Sequence, residues 1–136
     1  MKHVLGTVFL CGLVIGLFGG CSGGTSKGPT GNVSGTVTFD GQPVATGTVR
    51  LYSQKTGETG SGVLTEGGKF KFAEPLPVGS YQAIVVPPQE PPPEVGKAYE
   101  PKTYDNIPEK YRTELTTDIT VEVKAGDNTI TVEMKK

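Results

Sequence analysis

The 136-residue sequence has no tryptophan, a single histidine and two cysteines. The histidine is His3, at the start of an N-terminal segment that reads as an export signal, so imidazole catalysis and His-ligated metal sites have almost nothing to work with. Neither sign of charge dominates. Thirteen Lys and Arg oppose fourteen Asp and Glu, a formal net charge of -1, which lacks the basic excess that replaces phosphate counterions in a nucleic-acid binder. No nucleic-acid partner is expected. Long helices are excluded by 20 glycines and 11 prolines, which cost about 1 and about 3 kcal/mol each inside a helix. The acids Asp40, Glu58, Glu66, Glu74 and Asp127 are scattered, with no paired carboxylates for acid–base work and no calcium loop. The sequence therefore singles out no catalytic residue, no cofactor site and no metal ligand set, and it reads as that of a non-enzyme, with a degenerate enzyme using carboxylates alone as a third reading.

What is present begins with a basic start, Met1-Lys2-His3, and the apolar run Val4 to Phe18. That run is short of the roughly 20 residues a transmembrane helix needs and suits the hydrophobic part of an export signal. Phe18-Gly19-Gly20-Cys21, followed by Ser22-Gly23-Gly24, resembles the lipobox of bacterial lipoproteins, with Phe18 where leucine is usual. Cys11 is a poorer acceptor, since bulky Leu10 precedes it and apolar sequence follows. The resemblance implies a signal peptide over 1–20, cleavage before Cys21, and palmitate-type acyl chains on that cysteine. Several chains are needed for lasting anchorage, because each buried methylene adds only about 0.8 kcal/mol. The expected location is the cell envelope, with Ser22 favouring the outer membrane by the same resemblance. An uncleaved anchor, or a plain signal cut near Gly20, are the alternatives.

Residues 21–31 then form a Gly/Ser-rich tether. Beyond it, period-two alternation takes over. Val33, Gly35, Val37 and Phe39 share one strand face, and Asp40-Gly41 suits the positive φ values of a tight turn. Further alternating runs lie at Val49–Leu51, Phe70–Phe72, Tyr81–Val86, Ile119–Val123 and Ile130–Met134. Tyr81–Val86 is apolar on both faces. Gly67-Gly68 marks a turn, and Ala125-Gly126-Asp127-Asn128 reads as the turn of a hairpin joining the last two strands. The sum is an all-β sandwich of about seven strands over residues 32–136. Ile107–Leu115 offers one short helical stripe, with Pro108 in its first turn and Tyr111 and Leu115 on one face. A proline-rich loop spans 87–118. It holds Tyr99, Tyr104 and Tyr111, interleaved with Lys97, Lys102, Lys110 and Arg112. Tyrosines beside basic groups stack on sugars and contact proteins; they equally serve to tack a loop onto a sheet. Tyr99, Tyr104, Tyr111, Lys102 and Arg112 are the candidate contact residues.

Two stretches carry a family likeness. Gly31 to Val44, with its G-x-V strand, Asp40-Gly41 turn and Gln42-Pro43-Val44, resembles the opening of carboxypeptidase regulatory-like domains. Thr65-Glu66-Gly67-Gly68-Lys69-Phe70 and Gly79-Ser80-Tyr81 are similar to that family's second half, and Ile107 to Thr129 to short lipoproteins carrying the domain. The resemblance implies a transthyretin-like (prealbumin-like) seven-stranded β-sandwich. Enzymes of that fold do not fit: the urate-pathway hydrolases and the intradiol dioxygenases need histidines, the metallocarboxypeptidase catalytic domain is missing, and isopeptide-forming pilin domains need a lysine on the first strand. The implied role is a structural or protein-interaction module facing an unidentified envelope protein or polysaccharide. The alternative is a carbohydrate-binding module that uses the tyrosine-bearing loop at 97–112.

Overall fold

The computed structural model describes residues 28–136. The signal expected over 1–20, the lipidation site Cys21 and most of the 21–31 tether lie outside the described residues. Alternation of branched and polar side chains from Thr30 produces a ten-residue strand, β1 (Thr30–Phe39), that buries Val33 and Val37. It begins inside the expected tether: Thr30 and Gly31 are already paired, to Pro77 and Leu76. At its far end Asp40 and Gly41 both take positive φ, 46° and 81°, and turn the chain into β2 (Gln42–Pro43).

The chain then lays down β3 (Thr48–Tyr52), β4 (Thr59–Val63), a 3-10 turn at Glu66–Gly68, β5 (Lys69–Lys71), β6 (Leu76–Pro77) and β7 (Gly79–Val86). The long connection follows, with one 3-10 turn at Glu109–Tyr111, and then β8 (Thr120–Val123) and β9 (Gly126–Met134). Among the described residues there is no α-helix; the protein is all-β. Two sheets form. In one, β1 is the centre: β9 runs parallel to it from Gly31 to Phe39, while β6, β5 and β2 pair in succession along its other edge. The other sheet has the order β4-β3-β7-β8, antiparallel throughout. Val33, Val37, Ile130, Val132 and Met134 of the first sheet share one core with Val49, Leu51, Tyr81, Ala83, Val85 and Val123 of the second. Burial on this scale is the main favourable term in a fold of this kind.

Two sequence expectations fail here. No hairpin joins β8 to β9; β8 pairs with β7 and β9 with β1, so the Ala125–Asn128 segment carries the chain from one sheet to the other. A glycine-containing turn looks the same in sequence whether the strand after it folds back or crosses over. Asn128 secures the crossing: its amide Nδ2 donates to the carbonyls of Lys124, Gly126 and Asn32, and its Oδ1 accepts from the Lys124 N–H. The helical stripe at Ile107–Leu115 is a single 3-10 turn with Pro108 at the capping position. Tyr111 is buried and Leu115 is 87 % exposed, so they do not share a packed face.

Candidate functional site

The parallel pair β1 and β9 gives the molecule two distinguishable ends. Thr30, Gly79, Val123 and Gly126 lie at one, and Phe39, Thr48, Val63, Val86 and Met134 at the other. Ten residues at about 3.3 Å each separate the ends of β1 by roughly 30 Å. The long connection leaves from Val86, so it starts at the end away from Thr30.

Its proline-rich first part has no ladder partner. Pro87-Pro88 and Pro91-Pro92-Pro93 lack the donors for one. A carboxylate organises it instead. Glu90 accepts the Tyr99 hydroxyl on Oε2 and the Lys102 backbone N–H on Oε1, each at 2.9 Å, closing the segment into a loop. That bond keeps the proton on Tyr99, whose phenol titrates above its ordinary range chiefly for this reason. Tyr99 stays 55 % exposed and, with Pro91, Pro92, Pro93 and Lys102, lines a shallow hollow of about 280 Å³.

From Tyr104 onward the same connection is sewn into the domain. Ile107 is fully buried in the core, and a Cβ built on Gly47 would lie 3.3 Å from its Cδ1, so the side chain closes the core where β3 begins. Tyr111 is 4 % exposed and its hydroxyl accepts the Lys135 N–H at 3.2 Å. Arg112 donates from Nε to the Ile107 carbonyl at 2.8 Å and from Nη2 to the Tyr104 carbonyl at 3.2 Å. The Thr117 hydroxyl donates to the Ala83 carbonyl at 2.7 Å, and the Ala83 N–H donates to the Ile119 carbonyl. The Lys110 ammonium pairs with Asp118 and lies 5.3 Å from the Tyr111 ring centroid. Through its hydrogen bond to Asp118 it holds that carboxyl below the usual range, and its own titration is raised in turn.

Between this part of the loop and the end of the first sheet lies a cleft of about 740 Å³. Lys102, Tyr104 and Arg112 line it, so three of the five candidate contact residues come together beside Phe39, Asp40 and Lys136. The other two do not join them. Tyr99 stands in the neighbouring hollow, and Tyr111 is drawn into the core with its ring out of reach of any ligand. Asp40, Asp105 and Glu109 offset Lys102, Arg112 and Lys136 around the cleft, so it selects no single sign of charge. Among the described residues no three or more His, Cys, Asp or Glu side chains gather where a metal ion could be held, and no helix is long and apolar enough to cross a membrane. The residue that sequence reasoning missed is Glu90. Its signal was available: an acid inside a proline run has few backbone donors nearby, so its partners must come from farther along the chain.

Comparison with protein-family models, with curated proteins and with solved structures returns no match for this chain.

Proposed function

We propose that the protein is a non-enzymatic envelope lipoprotein, anchored by acyl chains on Cys21, whose two-sheet domain is a transthyretin-like sandwich of the carboxypeptidase regulatory-like kind. The domain serves as a protein-interaction module through the surface of its long loop. The observation that carries this reading is polar separation. The described chain enters the domain at Thr30, and the cleft bearing Lys102, Tyr104 and Arg112 opens at the opposite end, roughly 30 Å away by strand rise. An anchor on one side of a rigid body leaves the other side free for a partner. Mixed charge around the cleft, beside the half-buried Phe39, matches a protein surface better than a polyanion. A protein partner is preferred to a glycan because stacking needs exposed rings, and of the three loop tyrosines Tyr99 alone is largely exposed.

Two experiments test the reading. Palmitate labelling in the native host is lost in Cys21→Ser and kept in Cys11→Ser; labelling that survives Cys21→Ser defeats the anchor. Photo-crosslinking from Lys102 or Tyr104 captures one recurrent envelope protein, while the same probe at Thr129, on the outer face of β9, does not. Crosslinks that follow no position, or binding on a glycan array instead, defeat the protein-interaction role.

A further inference from the structure

We propose that β4 is a self-pairing edge, through which two copies of this chain join their four-stranded sheets into one of eight. In the β3–β4 ladder Ser53 donates to Glu58 and Leu64 to Gly47, so by alternation Gly60 and Gly62 complete the bonding to β3. Thr59, Ser61 and Val63 turn their N–H and C=O groups to the open side, where they meet no hydrogen-bond partner among the described residues. Sheet edges are commonly guarded by proline, charge or a bulge. The other edge of this sheet, β8, carries Glu122. Thr-Gly-Ser-Gly-Val carries none of these guards, and it exposes Val63 to 68 %.

The glycines are there for a packing reason. A Cβ at Gly60 would sit 2.8 Å from the Phe72 ring, and one at Gly62 would sit 2.8 Å from the Lys71 carbonyl oxygen. The strand must lie flat against the first sheet, which leaves its outer rim bare.

Charge selects the occupant. Two open clefts flank β4 and share Ser61 and Ala73. The cleft at the start of the strand, about 540 Å³, is lined by Glu58 and Glu74; the cleft at its finish, about 470 Å³, is lined by Lys69 and Lys71. All four side chains are exposed, and none makes an ion pair among the described residues. An antiparallel second copy related by a two-fold axis through Ser61 sets Thr59 against Val63 of its mate. It also lays the acidic end of each strand on the basic end of the other. An isologous contact needs this self-complementarity, and each outward N–H then finds an outward C=O. An unrelated strand would need to reproduce both features by chance.

Sedimentation velocity of the full-length chain in non-ionic detergent, over a concentration series, reads the association. The wild type forms a dimer as concentration rises. Glu58→Lys with Glu74→Lys weakens it by about tenfold or more, since like charges then face each other across the strands. Adding Lys69→Glu and Lys71→Glu restores it. Register is read in a chain whose Cys11 and Cys21 are serine. There Ser61→Cys forms a disulfide-linked dimer on mild oxidation, because directly opposed residues lie about 5.5 Å apart at Cα, within disulfide reach. Glu122→Cys on β8 stays monomeric. The proposal is overturned by a wild type that remains monomeric throughout, by a dimer indifferent to the charge reversal, or by Ser61→Cys linking only to a different protein. The anchor and the loop partner of the preceding section stand or fall separately.

Discussion

The two halves of the β7–β8 connection differ in what holds them, although sequence presents them as one proline-rich loop. Residues 103–119 are fastened to the domain by a few buried side chains. Ile107 and Tyr111 are buried, Arg112 ties two turns of backbone together, and Thr117 reaches a strand carbonyl. Residues 87–102 hold five consecutive-run prolines but rest on one carboxylate, Glu90. Proline stiffens a chain and removes donors; it supplies no attachment. Attachment of the connection follows buried apolar side chains and satisfied carbonyls, and these lie where proline is sparse.

The sharpest way to break that contrast is to empty the inner half. Ile107→Ala removes a fully buried side chain and should cost about 2–5 kcal/mol in urea denaturation. Val95→Ala in the outer half, where the side chain is fully exposed, should leave the midpoint unchanged. Equal effects would abolish the distinction. Next in size, Arg112→Ala strands the Ile107 and Tyr104 carbonyls and should cost about 1–3 kcal/mol. Arg112→Lys recovers only part, because a single ammonium does not reproduce the guanidinium fork. Glu90→Ala, which removes both acceptor oxygens, should change global stability by less than about 1 kcal/mol, as expected of exposed hydrogen bonds. The Lys102 amide should nevertheless exchange with deuterium markedly faster, and Tyr99 should titrate nearer its ordinary range. Protection unchanged at Lys102 would mean the outer half has other supports.

The smallest effect belongs to Lys110 and Asp118. Asp118 is lowered in the folded state, so its contribution is present above the ordinary carboxylate range and is lost as pH falls through the lowered value. Lys110 is raised, so its share is present below the ordinary lysine range and fades as pH rises through the raised value. Both groups are exposed, and screening keeps the pair weak. A carboxyl-carbon NMR titration should find Asp118 below the usual midpoint and returning to it in Lys110→Gln.

Much of the fold was legible because burial imposes a period. Val33 and Val37, Val49 and Leu51, Tyr81 to Val85, and Ile130 to Met134 are spaced by twos or fours, and each set lies in the core. Asp40-Gly41 was legible from backbone chemistry, since few other pairs accept two positive φ values. β4 escaped notice because Gly60 and Gly62 carry no hydrophobic signal at all; they face Phe72, just beyond the end of β5. The candidate site was half legible. The loop and its residue types stood out, but Tyr99, Tyr104 and Tyr111 look alike in sequence and ended exposed, half-buried and buried.

By itself the sequence determined the class of structure. Period-two burial makes strands, and Gly and Pro forbid long helices. Tertiary structure decided which strands meet, that the chain after β8 crosses to the other sheet to lie parallel to β1, and which tyrosine is spent on the core. Those outcomes depend on pairings between residues some 95 positions apart, such as Asn32 with Asp127. Local sequence carries no term for such a pairing. Only the assembled sheets bring its two sides together.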